Sequence, residues 1–309
     1  MKRLVKLLLA GTLLTGCGHA QEEQVFISTS FHEPATAGLR YIYSKDGIHW
    51  DSIPGIWLSP EVGGQKIMRD PSIVQGPDGT FHLVWTSSWK HDDGFGYASS
   101  KDLIHWTPQR HIRVMADEPA TVNVWAPEIF YDEGKEQFMI VWASCIPGRF
   151  ERGIEDEDNN QRLYYFTTRD FISFSTPKVL IDPGYSSIDA TLVRRGPEDY
   201  VMVVKDNTRP MRNIKISFAK DAEGPWSEPT EPFTESFTEG PSVAIRDNDY
   251  IIYYDSYKKY IYGAKRTTDF IRFTDYTDSV SVPKGHKHGT IVKTSARFLK
   301  DLLKSAENK

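Results

Sequence analysis

Short apolar runs separated by turns rich in Gly, Pro, Asp and Asn make up most of the chain after residue 24. The runs contain many Val, Ile, Tyr and Phe residues, which fit the pleated surface of a sheet. A helical period is confined to the C-terminal stretch 296–305. The pattern therefore predicts an all-β protein with one short terminal helix.

The runs form three sets that each recur five times. The inner set carries an ionisable residue at or near the start of the run, and comprises Met68–Val74, Trp125–Ile129, Ser187–Leu192, Glu239–Val243 and His288–Val292. A second set comprises Val25–Ser30, Phe81–Ser87, Gln137–Ser144, Asp199–Lys205 and Tyr250–Ser256. A third set comprises Leu39–Tyr43, Gly94–Ala98, Leu163–Thr167, Ile214–Phe218 and Tyr260–Ala264.

A turn with an Asp and a following aromatic residue ends each repeat. The Asp residues are Asp46, Asp102, Asp170, Asp221 and Asp269, at intervals of 48 to 68 residues. We interpret the Asp as capping the turn and the aromatic as packing between neighbouring sheets. With an outer strand after the turn, each repeat has four strands, which predicts a five-bladed β-propeller with four-stranded blades.

The order of the repeats is circularly shifted. The N-terminus supplies three strands of a blade without an inner strand, and the C-terminus supplies the inner strand His288–Val292 without a further blade. We therefore expect the N-terminal strands to pair with the C-terminal inner strand. Such pairing closes the ring and leaves no long free sheet edge.

The first sixteen residues have the pattern of an export signal. Basic residues at positions 2, 3 and 6 precede an apolar run over 7–14 that is too short to span a membrane. Residues 14–17, Leu-Thr-Gly-Cys, resemble a bacterial lipobox with Cys17 as the lipidated residue. We expect a signal peptide over 1–16, a tether over 17–24 and one domain over 25–309; an ordinary secretory signal is the alternative.

The charge balance argues against a nucleic-acid partner. Removal of residues 1–16 reduces Lys and Arg from 37 to 34 against 42 Asp and Glu, a net charge of −8, and the chain has no basic patch. We expect a monomeric exported lipoprotein, held by its lipid anchor at the periplasmic or cell-surface face of a membrane.

The starts of the inner strands carry the candidate chemistry. Inner strands of a propeller converge on one axis, so Asp70, Asp189, Glu239 and His288 should border one central pocket. Three carboxyl groups around a pocket favour glycoside hydrolysis, in which one carboxyl group protonates the leaving oxygen and another acts on the opposite side. A neighbouring anion can raise the pKa of the proton donor.

Four motifs of these strands resemble glycoside hydrolase family 43. They are Arg69-Asp70-Pro71-Ser72-Ile73, Trp125-Ala126-Pro127-Glu128-Ile129, Ile188-Asp189-Ala190 and Glu239-Gly240-Pro241, and the segment 286–290 is similar to that family's closing segment. The resemblance covers nearly all of the chain after residue 24. It implies a five-bladed propeller that inverts configuration, with Asp70 as general base, Asp189 as pKa modulator and Glu239 as general acid. Ala190 departs from the proline usual in that family.

Further residues are candidates for substrate binding. They are Arg69, Trp89, Trp125, Glu128, Lys205 and His288. The tryptophans could stack on a sugar face, Lys205 is expected at a rim loop, and Glu128 could point to the pocket or serve as a structural acid. The resemblance also makes His288 a candidate ligand for a structural Ca²⁺ near the axis; no cofactor is expected to be required.

Three functional hypotheses remain open at this stage. The first is an exo-acting glycosidase that releases arabinofuranose, xylose or galactofuranose from plant-type glycans, above all an α-L-arabinofuranosidase. The second is an endo-acting arabinanase or xylanase. The third is a propeller that binds glycans without cleaving them. The identity of the sugar depends on rim loops whose conformation the sequence does not determine.

Overall fold

The computed structural model describes residues 23–307. The signal peptide predicted over 1–16, the lipidation of Cys17 and most of the tether lie outside the described residues and stay predictions. Within the described range, no helix combines the length and apolar character needed to cross a bilayer.

The described residues form nineteen strands, a 3-10 turn and one helix. The strands are β1 (Gln24–Ser30), β2 (Leu39–Ser44), β3 (Asp51–Leu58), β4 (Arg69–Gln75), β5 (Phe81–Thr86), β6 (Gly94–Ser100), β7 (Arg110–Arg113), β8 (Trp125–Asp132), β9 (Gln137–Ser144), β10 (Arg162–Thr168), β11 (Lys178–Ile181), β12 (Ser187–Gly196), β13 (Asp199–Asp206), β14 (Asn213–Ala219), β15 (Thr238–Ile245), β16 (Tyr250–Ser256), β17 (Ile261–Thr267), β18 (Thr274–Asp275) and β19 (Ile291–Ser295). The 3-10 turn is Thr277–Ser279 and the helix is α1 (Ala296–Ala306).

These strands form five antiparallel sheets, the blades of the predicted propeller. Blade 1 has the order β19-β1-β2-β3, blade 2 β4-β5-β6-β7, blade 3 β8-β9-β10-β11, blade 4 β12-β13-β14 and blade 5 β15-β16-β17-β18. In blade 4, residues 226–233 take the place of the outer strand. Their amides donate to β14, from Ser227 to the Phe218 carbonyl at 2.8 Å and from Thr230 to the Ile216 carbonyl at 2.8 Å.

The ring closes as the sequence predicts. Strand β1 pairs with β19 from Gln24↔Ser295 to Ser28↔Ile291. The inner strand starts at Ile291, three residues later than predicted, because Gly289 passes so close to β1 that a Cβ there would lie 2.2 Å from the Thr29 carbonyl oxygen. His288 therefore lies in the segment that leads into β19.

Each hydrophobic cluster lies between two neighbouring blades. Trp85 of blade 2 packs with Tyr41 of blade 1, and Trp142 of blade 3 packs with Val84 of blade 2. Helix α1 inserts Phe298 into the first of these clusters. Since each blade holds its neighbours through such a layer, the five inner strands keep a fixed spacing around the axis.

The Asp turns have the predicted geometry. Oδ1 of Asp46 accepts hydrogen bonds from the amides of Ile48 at 2.8 Å and His49 at 2.9 Å. Asp102, Asp170 and Asp269 accept the same pair of bonds in their own turns. In the remaining turn, Oδ1 of Asp221 accepts one such bond, from the amide two residues later. Trp50, after the first turn, donates from Nε1 to the Tyr253 hydroxyl of blade 5 at 3.0 Å, so this aromatic packs between blades as predicted.

Candidate active site

Four inner strands begin with the same backbone irregularity. Strands β4, β8, β12 and β15 each shift register after their first paired residues. The residue within each shift has a positive φ, namely Asp70 (50°), Ala126 (44°), Asp189 (52°) and Gly240 (58°). Bulges of this kind bend a strand and re-aim a side chain. Gly240 also makes room for its neighbour, because a Cβ there would lie 2.0 Å from the His288 ring.

The bulged residues surround one cavity on the axis. Its walls include Asp70, Glu128, Asp189 and His288. The cavity measures about 30 Å³, which is room for one or two water molecules but not for a sugar ring. Glu239 lies beside it, with an oxygen within 4.8 Å of a His288 nitrogen. The structure thus brings the four residues predicted for the pocket together, and a sugar would bind at the mouth.

Asp70 is an anion held by two partners. Its Oδ1 lies 2.6 Å from Nε2 of His288, and its Oδ2 accepts from the Thr86 hydroxyl at 2.8 Å. Burial would raise the pKa of Asp70, but the His288 imidazolium, then Arg69 and the Thr86 hydrogen bond, lower it below the ordinary value. Asp70 is therefore ionised at neutral pH, as a base must be.

His288 bridges Asp70 and Asp255. Its Nδ1 lies 3.1 Å from Oδ2 of Asp255. Burial would lower the pKa of His288, but Asp70 and Asp255 raise it well above 6.5, so the ring is an imidazolium. Ca²⁺ prefers oxygen ligands, and an imidazolium has no lone pair for a metal. Glu239, Asp255 and His288 offer ligand atoms within 4.8 Å of one another. The two carboxylates beside the His288 ring nevertheless favour a proton on the ring over a metal ion bound to it.

Glu239 is paired with a buried cation. Nζ of Lys205 lies 2.8 Å from Oε2 of Glu239, and the Lys205 side chain is 2% exposed. Burial would raise the pKa of Glu239, but Lys205 and His288 lower it below its ordinary value. The prediction that Lys205 lies at a rim loop is wrong: strand β13 carries it inside the blade. The pair with Lys205 therefore holds Glu239 as a carboxylate.

Asp189 differs from Asp70 and Glu239 in that its surroundings raise its pKa instead of lowering it. Its Oδ2 accepts a hydrogen bond from the Gly240 amide at 3.0 Å. Burial raises the pKa of Asp189 above the ordinary value; Lys205 and His288 oppose the rise, and Glu239 and Asp70 add to it. Interacting carboxyl groups titrate as a set. The centre thus places one carboxyl group with a raised pKa between two carboxylates that have cationic partners.

Glu128 lies at a deeper level of the same axis. Its Oε2 accepts from the Ser72 hydroxyl at 2.6 Å and the Thr290 hydroxyl at 3.0 Å. Burial raises the pKa of Glu128 to about 7, and the two hydroxyl groups offset only part of that effect. Glu128 lines the cavity, but it also borders a second cavity on the opposite side of the propeller.

An aromatic platform adjoins the carboxyl groups of the centre. The Arg69 guanidinium lies 4.8 Å from the centroid of the Trp89 ring and 5.1 Å from that of Phe31, and it pairs with Glu33 at 2.5 Å. Trp125 donates from Nε1 to the Trp89 carbonyl at 2.6 Å. Trp89 is 46% exposed, so part of its side chain is accessible to a ligand, whereas Phe31 is buried.

Ion pairs tie the rim loops of neighbouring blades together. Lys90 pairs with Asp158 at 2.6 Å. Arg209 pairs with Glu155 at 3.3 Å and with Asp156 at 3.1 Å. The long loop 146–161, which accounts for the interval of 68 residues between two Asp turns, thus contacts the loops on both sides. These ion pairs therefore join the rim loops of blades 2, 3 and 4 along one side of the pocket.

Sequence reasoning missed two residues of the centre. Thr86 and Asp255 lie at the ends of the second strands β5 and β16, whose apolar residues indicate only a buried strand. Thr86 also accepts a hydrogen bond from the Ala126 amide at 2.8 Å and so joins blades 2 and 3. The sequence signal for Asp255 was weak: an acid at the end of an otherwise apolar run.

Comparison with known proteins identifies the family of the chain. Residues 23–297 match a family related to glycosyl hydrolase family 43, whose description reads "Probable glycosyl hydrolase domain". A curated α-L-arabinofuranosidase of Bifidobacterium longum is 27% identical over 150 residues, which are 42% of this chain and 14% of that protein. The match thus spans about one seventh of the relative's length.

Solved structures share the fold at low identity. An endo-arabinase from Bacteroides thetaiotaomicron superposes with a TM-score of 0.60 at 14% identity, over 81% of this chain and 90% of that one. An α-L-arabinanase of Cellvibrio cellulosa, solved with arabinohexaose, gives 0.54 at 15% identity, over 80% and 88%. At these identities the likeness supports the propeller fold alone.

Proposed function

The chain belongs to the family-43-related glycosyl hydrolases, and on that premise we propose that it releases arabinofuranosyl residues from the ends of glycan chains with inversion of configuration. The protein is a glycosidase of the propeller type; the sugar and the mode of attack are the proposed part. The observation that carries the proposal is the arrangement of Asp70 and Asp189 around one cavity with Glu239 beside it, where the pKa of Asp189 is raised and those of Asp70 and Glu239 are lowered.

Asp70 is the proposed general base. Its carboxylate faces a cavity with room for water, and water is the nucleophile in an inverting glycosidase. The water oxygen forms a bond to the anomeric carbon while Asp70 takes a proton from it. The bond between that carbon and the leaving oxygen breaks, and the leaving oxygen receives a proton from the acid. An inverting pair stands roughly 6.5–9.5 Å apart to admit the water.

Glu239 is the proposed general acid, as the resemblance to family 43 implies. Lys205 keeps it ionised, so it must acquire a proton before it can act. The raised pKa of Asp189 makes this carboxyl group the proposed source of that proton. We propose that a sugar at the mouth engages Glu239, whose side chain is 26% exposed, weakens its pair with Lys205 and lets a proton pass from Asp189 to Glu239.

Exo action is supported by the shape of the mouth. Rim loops joined by ion pairs enclose the pocket on several sides, which favours a chain end over the middle of a polymer. Arabinofuranose is supported by the names of the proteins that resemble this chain, an α-L-arabinofuranosidase and arabinanases. Endo action is the second candidate, because one named neighbour is an endo-arabinase.

The test uses aryl glycosides and polymers together. We expect turnover of 4-nitrophenyl α-L-arabinofuranoside and release of monosaccharide from arabinan, with the inverted anomer as first product by NMR. Asp70→Asn should reduce kcat about 10²–10⁴-fold, while Asn in place of the exposed Asp117 should leave it unchanged. Oligomer ladders from arabinan would support endo action. Binding of glycan without any product, equal in Glu239→Gln and wild type, would support the non-catalytic alternative.

We also propose that the protein is an exported lipoprotein anchored through Cys17. The basic residues, apolar run and lipobox-like residues 14–17 support this. Expression in a bacterial host with radiolabelled palmitate should label the wild type and leave Cys17→Ser unlabelled. Label on both proteins, or on neither, would contradict a lipid at Cys17.

A further inference from the structure

A cleft separate from both cavities described above opens beside the catalytic centre, between the turn from β16 to β17 and the segment 277–287 that leads to His288. Its walls include Asp255, Tyr260, Tyr262, Lys284 and Lys287. It measures about 460 Å³, within the range of ligand-binding pockets. The cleft is distinct from the cavity on the axis, whose lining contains none of these five residues.

Asp255 connects the cleft to the reacting groups. It lines the inner end of the cleft and contacts Nδ1 of His288 at 3.1 Å. In the sheet of blade 5, Asp255 is also the register partner of Glu239, the proposed proton donor. The leaving group of a glycosidase lies on the side of the proton donor. The cleft therefore starts where the leaving group would lie.

The walls of the cleft suit a neutral glycan. Tyr260 is 88% exposed and offers a free aromatic face, on which the C–H groups of a sugar ring can pack. The remaining lining combines apolar residues such as Val280 and Val282 with charged side chains of both signs, Asp278 and Lys284. Because both signs of charge are present, the wall does not favour a polyanion, whereas the hydroxyl groups of a sugar both donate and accept hydrogen bonds.

The cleft also differs from the other sides of the rim. Ion pairs bridge the loops at Lys90 and Asp158, at Arg209 and Glu155, and at Arg69 and Glu33. At the junction of blades 5 and 1, Lys287 pairs with Asp255 at 3.7 Å, a longer distance than in those pairs, and both residues line the cleft. A chain whose terminal sugar occupies the pocket can extend into this cleft.

We propose that the cleft binds the sugar units on the leaving-group side of a neutral oligo- or polysaccharide, with Tyr260 as the stacking residue. This inference rests on the proposed function and deepens it, because it makes the enzyme selective for oligosaccharides over simple aryl glycosides. The catalytic centre itself does not depend on Tyr260, which lies on the surface of the turn before β17.

Tyr260→Ala tests the cleft, and Ile271→Ala is the matched control. Ile271 is 71% exposed and lies after the opposite end of β17. We expect Tyr260→Ala to leave kcat/KM for the aryl arabinofuranoside within about twofold and to lower kcat/KM for arabinohexaose about tenfold, mainly through KM. Ile271→Ala should change neither. Equal losses on both substrates, or no loss on arabinohexaose, would overturn the proposal.

A binding measurement separates this proposal from the hydrolytic function. In the Asp70→Asn background, calorimetry with arabinohexaose should show a Kd about tenfold weaker when Tyr260 is also replaced by Ala. If wild type cleaves no substrate but the hexaose still binds in a Tyr260-dependent way, the hydrolysis proposal fails and the cleft stands. If wild type cleaves the hexaose and the affinity does not depend on Tyr260, the hydrolysis proposal stands and the cleft proposal fails.

Discussion

Nε2 of His288 lies 2.6 Å from Oδ1 of Asp70, so the segment that leads into the last inner strand supplies the cation that keeps an acid of the first inner strand ionised. The two residues are 218 positions apart in the chain. Closure of the ring, in which β19 pairs with β1, is what brings them together. The chemistry of the centre therefore depends directly on the closure of the fold.

Replacement of His288 by Gln should shift the acidic limb of activity. The variant keeps a hydrogen-bond donor but loses the positive charge that lowers the pKa of Asp70, so that pKa should rise. The acidic limb of kcat/KM should move to higher pH. His286→Gln is the control, because burial lowers the pKa of His286 to about 4 and the ring is neutral. An unmoved limb in His288→Gln would contradict the role assigned to the imidazolium.

Replacement of Glu239 by Gln should make activity depend on the leaving group. Without its proton donor, the enzyme should lose about 10²–10⁴-fold on arabino-oligosaccharides, whose leaving oxygen needs a proton. Turnover of a 2,4-dinitrophenyl arabinofuranoside should fall much less. Kinetics on both substrates, with Glu231→Gln as an exposed control, check this. A similar loss on the two substrates would rule out Glu239 as donor, and the same comparison on Asp189→Asn would then show whether Asp189 donates directly.

Replacement of Lys205 by Met should raise the pKa of Glu239, because a buried cation that lowers it is removed. If Glu239 must be protonated to act, the alkaline limb of kcat/KM should move to higher pH. Lys215→Met, in which a neighbouring lysine of blade 4 loses its pair with Asp206, provides the control. An alkaline limb that stayed in place or moved to lower pH would refute the proposed coupling.

Replacement of Glu128 by Gln should remove a pH dependence of stability. Because the folded pKa of Glu128 is raised from 4.5 to about 7, its neutral form stabilises the fold fully below pH 4.5, and this contribution is lost as the pH rises to 7. The shift corresponds to about 3 kcal/mol. The free energy of unfolding of Glu128→Gln relative to wild type should therefore increase by about that amount from pH 4.5 to 8. Denaturant titrations measure it, with Glu228→Gln as control; a constant difference would contradict the buried neutral acid.

Removal of divalent metal should leave the protein unchanged. With His288 held as an imidazolium between Asp70 and Asp255, we expect that dialysis against EDTA changes neither kcat/KM nor Tm. Added Ca²⁺ should not restore or raise either value. A rise in Tm with Ca²⁺ that His288→Gln abolished would show instead that a metal ion binds at the axis.

Local patterns in the sequence were sufficient for the blades. The alternation of apolar runs and turns, the five Asp turns and the circular shift are properties of neighbouring residues, and the strands and the closure by β19 follow them closely. Asp70, Asp189 and Glu239 could be selected because each occupies the start of a repeated strand. The start of β19 and the irregular outer edge of blade 4 were missed, because close backbone contacts decide both.

The sequence by itself determined the repeat, and with it which acids approach the axis. Only the tertiary structure decided how those acids ionise, because a pKa depends on burial and on charges that come from other blades. Lys205 reaches Glu239 and His288 reaches Asp70 through space, across separations that no local pattern encodes. The chain order specifies the residues of the centre, and the packing of the blades specifies their charges.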